Sequence, residues 1–185
     1  MKILLTLFIL LFSSSVFADD ISDFEIEGIS IGDSLLDYMS EKQIVKQISN
    51  PLTSYDHLDP PNKFLEIFWS HGLETYSEVS VFIENGDKKY IIQGMFGQLK
   101  NSSIEKCLDE KSKIIEEFDN LFKDETEVES HDYTGRNAFI YEHSYFINTS
   151  DRAMIQCFEA PEYLEHNSLI ISLTSSFLGE WLFVN

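Results

Sequence analysis

The period of hydrophobic and polar positions changes several times along this chain, and each change marks an element. At residues 24–31, Phe24, Ile26, Gly28 and Ser30 alternate with Glu25, Glu27, Ile29 and Ile31, a mixed pattern that permits a short strand. Gly32-Asp33-Ser34 then supplies cap chemistry before Leu35, Leu36, Tyr38 and Met39, and Ser40-Glu41-Lys42-Gln43 has capping-box spacing ahead of Ile44, Val45 and Ile48. These residues predict one broken helix or two short ones over 34–49. Asn50-Pro51 closes it, because proline disfavours helical geometry in the residue before it. Residues 51–62, with Pro51, Pro60 and Pro61, read as a loop crossing to a strand at 64–69.

Strands at 80–84 and 88–99 flank Asn85-Gly86-Asp87, a hairpin signal, since Asn-Gly accepts the positive φ of tight turns. A two-residue loop sets Glu84 opposite Asp87; a three-residue loop sets it opposite Lys88 and avoids like-charge opposition. Ser102-Ser103-Ile104-Glu105 opens a long helix with Ile104, Cys107, Leu108, Ile114, Ile115, Phe118, Leu121 and Phe122 on one stripe. Further strands follow at 137–147, 153–159 and 168–174. This order lacks βαβ alternation. It predicts an α+β fold: a largely antiparallel sheet packed by one long amphipathic helix, with a short N-terminal helical segment. No repeat or low-complexity tract interrupts it.

Lys2 is the sole charge before Asp19, the run from Ile3 to Phe12 is apolar except for Thr6, and Ser13-Ser14-Ser15 leads into Val16-Phe17-Ala18. That is the layout of a secretory signal peptide over residues 1–18, cut between Ala18 and Asp19. The run is about half the ~20 residues a membrane-spanning helix requires. A lipid anchor needs Cys directly after the cut, where Asp19 stands, so the expected product is a free, soluble single domain, residues 19–185, in the periplasm or secreted.

The formal charge of −19 removes two classes of partner. Residues 19–100 hold 6 basic and 15 acidic side chains and residues 101–185 hold 6 and 17, so neither half offers a basic face. Nucleic acid and anionic membrane surfaces both select for cations, and both are disfavoured. The acidity reads as solubility.

Export implies an oxidising compartment, and the chain has two cysteines, Cys107 and Cys157. Pairing them leaves no odd thiol, and their spacing is unlike the Cys-x-x-Cys of a redox-active pair, so a structural disulfide is expected. No strong catalytic or metal signature occurs. The sequence therefore nominates no catalytic residue, no metal ligand and no cofactor. Of the five histidines, His57, His71, His131, His143 and His166, two follow an acid, as Glu142-His143 and Glu165-His166. Adjacent strand residues face opposite ways, so Glu142 and His143 are not expected to act together, and His143 reads as part of an aromatic surface with Tyr141 and Tyr145. The acidic run 124–132 lacks an EF-hand's glycine and ligand period and reads as a solvated connector. The apolar tail 177–184 is expected to fold back on the core; an exposed partner-binding patch is the rival reading. An outer-membrane barrel is not expected from about six strands interrupted by a charged helix.

The stretch from Phe24 to Glu41, Phe-Glu-Ile-Glu-Gly-Ile-Ser-Ile-Gly-Asp-Ser-Leu-Leu-Asp-Tyr-Met-Ser-Glu, resembles the start of small exported proteins of unknown function from Pelagibacter-like marine alphaproteobacteria. A cysteine early in the long helix, Ile155-Gln156-Cys157-Phe158, and the ending from Leu169-Ile170-Ile171-Ser172 through Trp181-Leu182 are similar too. The resemblance implies a bacterial periplasm and supplies no activity or site residue. Ile31-Gly32-Asp33-Ser34 is also similar to the Gly-Met-Ser helix start of small outer-membrane assembly lipoproteins, although the anchor cysteine is missing here.

The resulting expectation is a non-enzymatic binding or envelope-accessory protein, engaging either an envelope partner or a small molecule on its aromatic-rich sheet. The alternative is a secreted hydrolase using paired carboxylates as general acid and base.

Overall fold

A computed structural model describes residues 20–101, 103–121, 126–135, 138–147, 151–160 and 167–183. The expected signal peptide and its expected cleavage residues Ala18 and Asp19 lie outside the described residues, as does His166.

The chain opens with a 3-10 turn, Ile21–Asp23, and a two-stranded hairpin, β1 (Glu25–Ile26) and β2 (Ile29–Ser30). Its turn is Glu27-Gly28, both at positive φ (55° and 74°), the backbone a tight hairpin demands. The predicted helical segment is two pieces: a 3-10 turn, Leu35–Asp37, whose Leu36 N–H donates to Ser34 Oγ (3.3 Å), and α1 (Glu41–Ser49). At the start of α1 the Ser40 N–H donates to Gln43 Oε1 (3.1 Å), closing the predicted box. The remaining elements are β3 (Phe64–Trp69), β4 (Glu78–Glu84), β5 (Ile92–Asn101), α2 (Ile104–Leu121), β6 (Glu127–Thr134), β7 (Phe139–Ile147), β8 (Asp151–Glu159), β9 (Asn167–Thr174) and α3 (Ser176–Phe183).

Strands β3 to β9 form one seven-stranded sheet in the order β3-β4-β5-β9-β8-β7-β6, antiparallel at every pairing. The fold is α+β. The chain leaves β5 in mid-sheet, runs through α2 to the far edge at β6, and returns strand by strand until β9 fits beside β5. At the other edge, the Gln47 amide donates to Phe68 O (2.8 Å) and accepts the Phe68 N–H (2.9 Å), so α1 satisfies exposed edge groups of β3.

Strict alternation gives the sheet two unlike faces. On the inner face, Val79, Val81, Met95, Leu169, Ile171, Leu173, Ala153 and Ile155 form one core with Ile44 of α1 and Ile114 and Phe118 of α2. Cys107 of α2 and Cys157 of β8 are joined there by a disulfide across a Cα–Cα distance of 5.9 Å. The Tyr145 hydroxyl of β7 donates to Asp119 of α2 (2.7 Å), and its buried ring packs 5.7 Å from Phe118. The outer face carries α3. Leu178 and Trp181 bury against Phe64 and Phe82, and Trp181 Nε1 donates to Pro60 O (2.8 Å), tying α3 to the loop before β3. Close approach depends on Gly94, where a Cβ would lie 2.3 Å from Leu178 Cδ2 and 3.1 Å from Leu173 O. The apolar tail thus packs as a helix through residue 183.

Two local expectations are corrected. The Asp87 N–H donates to Glu84 O (3.1 Å) and closes a turn over Asn85-Gly86, but the ladder does not start there: Glu84 pairs with Phe64 of β3, and β4 meets β5 through Ile83 and Ile92. Asp87 accepts the N–H groups of Lys89 (2.9 Å) and Ile91 (2.9 Å), and Tyr90 turns at φ 52°, so 88–91 leaves the ladder and pairs with the N-terminal segment instead. The acidic run is not a plain connector either, because Glu127–Thr134 is the edge strand β6. Bordered by β7 on one side alone, its side chains stay solvated and the strand needs no apolar alternation.

Candidate functional site

The outer face of β3, β4, β5 and β9 forms the floor of a cleft of about 320 Å³. Glu66 and Phe68 rise from β3, Ser80 and Phe82 from β4, Phe96 and Gln98 from β5, and Ile170 from β9, all at alternate positions pointing one way. Tyr55, from the proline-containing loop, and Leu182 and Phe183, at the end of α3, make the walls. Those walls are held by aromatic packing. The Tyr55 ring lies 5.4 Å from Trp181 and 5.8 Å from Phe82, and Phe82 lies 5.3 Å from Phe96 in an edge-on arrangement.

Two acids line the cleft, Glu66 and Glu78, and Glu66 is held by hydrogen bonds. Glu66 Oε2 accepts from the Tyr55 hydroxyl (2.8 Å) and Oε1 from the Ser80 hydroxyl (2.8 Å). Burial, and then the Glu66 charge, push the Tyr55 phenol far above its ordinary value, so it stays protonated and donates to Glu66. Each carboxylate oxygen can accept a second hydrogen bond, and the carboxylate keeps capacity for a ligand.

A second polar cluster occupies the same face two strands further on. Glu142 of β7 receives Arg152 Nη2 (2.6 Å) and Ser144 Oγ (3.0 Å) on one oxygen, and Tyr133 OH (3.0 Å) and Gln156 Nε2 (2.8 Å) on the other. Four donors saturate it. Arg152 then reaches toward the first cleft, with its guanidinium carbon 5.0 Å from the Phe183 ring centroid. Glu66 and Glu142 lie on strands five places apart, a span of about 24 Å along a sheet at ~4.8 Å per strand.

A cleft of about 330 Å³ opens beside α1, lined by Glu27, Tyr38, Trp69 and His71 among others. Its carboxylate is committed to structure, because Glu27 accepts the backbone N–H groups of Glu74 (2.8 Å), Thr75 (2.7 Å) and Tyr76 (2.9 Å).

Under α2, His143 Nδ1 lies 2.7 Å from Ser130 Oγ, and the ring stacks edge-on to Tyr145 at 4.9 Å. His143 Nε2 is buried with no hydrogen-bond partner among the described residues. Activation of a serine needs a base oriented by a third group, and this histidine has none. Burial, and then the neighbouring Lys111 charge, hold its imidazole below the ordinary value, while Asp119 opposes them. Glu142 and His143 lie on opposite faces, as alternation predicts. His57 and His131 are exposed, and His131 pairs with Glu129 (3.0 Å). Among the described residues, no group of three His, Cys, Asp or Glu side chains could hold a metal ion.

Sequence reasoning nominated none of the cleft residues. The available signal was Glu66, a single acid inside Phe-Leu-Glu-Ile-Phe-Trp, where a strand that packs on both faces has no other charge.

No protein-family model, curated protein or solved structure matches this chain. Among the described residues, no helix is long and apolar enough to cross a membrane.

Proposed function

We propose that this chain is an exported binding protein of a bacterial periplasm, of the kind found in Pelagibacter-like marine alphaproteobacteria, and that it holds a small ligand in the outer-face cleft. The signal-peptide pattern of residues 1–18 and the Cys107–Cys157 disulfide support the compartment. In this reading α2 is the long amphipathic helix that packs the sheet's inner face, leaving the outer face to function.

The carrying observation is the cleft itself. It combines aromatic walls with one carboxylate already oriented by two hydroxyls, the mixture that small-molecule sites use to fix a ligand. The hydrolase reading draws no support from Glu66 and Glu142, because a glycosidase-like pair stands about 5–10 Å apart across its bond. Glu78, the second acid of the cleft, lies four residues along β4 from Phe82, the partner of Glu66, a backbone span of about 14 Å.

The test is native mass spectrometry of protein purified from a Gram-negative periplasm, followed by a fragment screen read by protein-observed NMR. Fragments should shift Phe96, Gln98 and Ile170, and Ile170→Trp, which fills the cleft, should abolish those shifts. A screen whose hits map elsewhere, or that survive Ile170→Trp, overturns the reading.

A further inference from the structure

The two clefts differ in what their acids have left to offer. Glu27 is enclosed by three backbone N–H groups, whereas each oxygen of Glu66 accepts one hydroxyl and retains a free lone pair. Among the described residues, the other charged group lining the cleft is Glu78, also an acid, and no lysine, arginine or histidine lines it. Any charged ligand entering therefore meets a negative floor inside a protein of net charge −19. An anion would be repelled by both acids, and the cation at the border of the cleft, Arg152, is already paired with Glu142 (2.6 Å).

The rings point the same way. Aromatic faces attract cations through the ring quadrupole, most strongly where water is excluded. This aromatic belt already does so with the protein's own side chains: Arg152 sits 5.0 Å from Phe183, a cleft-wall residue, and Lys63 Nζ sits 3.8 Å from the ring of Phe177, six residues earlier on α3. Tyr55, Phe68 and Phe96 present further ring surface inside the cleft.

The geometry points to an organic cation as the ligand: an ammonium group seated between the Glu66 carboxylate and these rings, carried on an apolar body that fills the rest of the cleft. This assignment rests on the cleft being the binding site, and it deepens that reading by naming the chemical class. A protonated amine donates to the two free lone pairs of Glu66. A quaternary ammonium uses charge and ring faces alone.

The test is a titration of the exported protein, by calorimetry and protein-observed NMR, with three probes that share one ring: 2-phenylethylammonium, 2-phenylethanol and phenylacetate. The ammonium should bind about tenfold more tightly than the alcohol, the net effect of the Glu66 charge and the ring faces after the ammonium is desolvated. Phenylacetate should bind weakest. Glu66→Gln should cut the preference for the ammonium to about threefold or less, the part that ring faces alone supply, while amide shifts outside the cleft stay native and show that the protein still folds. Glu78→Gln, at a residue that makes no hydrogen bond to Tyr55 or Ser80, should reduce the same preference by a smaller factor. Equal binding of ammonium and alcohol, both shifting Phe96 and Ile170, overturns the cation assignment and leaves the cleft as a binding site. Binding of no probe, or shifts confined to other faces, overturns both.

Discussion

Arg152 Nη2 stands 2.6 Å from Glu142 Oε1 in a pair whose side chains are only 17% and 6% exposed. The two residues sit on neighbouring strands, β8 and β7, and Ser144 Oγ accepts from Arg152 Nη2 as well (2.9 Å) while donating to Glu142. A charge pair so far out of water holds only while both members remain. Replacing one leaves the other desolvated and alone, which costs about 3–5 kcal/mol, whereas replacing both with neutral groups of like volume is far less harmful. Arg152→Met should therefore lower stability by about that amount, and the double variant Arg152→Met, Glu142→Gln should recover most of it. Urea denaturation of the four proteins in this cycle gives the coupling. A double variant as unstable as the single one would show that the pair is not the unit.

The cross-link between α2 and β8 closes a loop of 50 residues, because Cys107 and Cys157 are that far apart in sequence. Restricting the unfolded chain in this way contributes about 4 kcal/mol in the loop-entropy account. Reduction, or the pair of changes Cys107→Ser and Cys157→Ser, should shift the urea midpoint down by a corresponding amount. It should also loosen α2 before the sheet, since the bond joins those two layers. Hydrogen exchange that accelerates equally in α2 and in β5 would contradict that order.

Gly94 is where α3 comes closest to the sheet. A methyl there meets Leu178 Cδ2 at 2.3 Å and the Leu173 carbonyl at 3.1 Å, and the backbone of a central strand has little room to yield. Gly94→Ala should cost about 1–3 kcal/mol as overpacking. Because α3 forms one wall of the cleft, the same change should expose Trp181, which is 2% exposed in the native fold. In a Trp69→Phe background, a red-shifted emission reports that release. Unchanged emission with full stability would mean that the helix has slack at this contact.

Much of this architecture is visible in local residue pattern, and the site is not. Ser40 and Gln43 announce the start of α1, and the alternation in 153–159 and 168–174 announces two central strands, because both signals are local or have period two. Strand β6 escapes, since a solvated edge strand carries no apolar alternation. The hairpin escapes in register, since Asp87 spends its carboxylate on Lys89 and Ile91 and so moves the first rung of the ladder to Ile92. The cleft escapes for a further reason. Glu66 is conspicuous within its strand, but its partner Ser80 comes from the neighbouring strand and Tyr55 from a loop folded over both. Only register, which the sequence does not state, brings the three together.

His143 gives the fold a pH dependence with a defined sign. It lies under α2, facing Lys111 and Asp119 of that helix and Ser130 of β6, and burial holds its imidazole below the ordinary histidine value. In the unfolded chain the same group takes a proton near pH 6.5. Between these two values the unfolded state binds more protons than the native state, so stability falls as pH falls through about 6.5 and is fully present above it. One proton limits the slope to about 1.4 kcal/mol per pH unit. The aspartates held below their ordinary range, Asp20, Asp56 and Asp87, lose their contributions only at more acid pH, and Glu117, raised by burial, acts in the opposite sense near its own carboxylate range. Across pH 7.5 to 5.5, comparison with a variant that lacks only this imidazole isolates its contribution. Urea unfolding free energies of the native chain should decline across that window, while His143→Gln, which does not titrate, should give a flatter line. Parallel lines for the two proteins would remove His143 as the source.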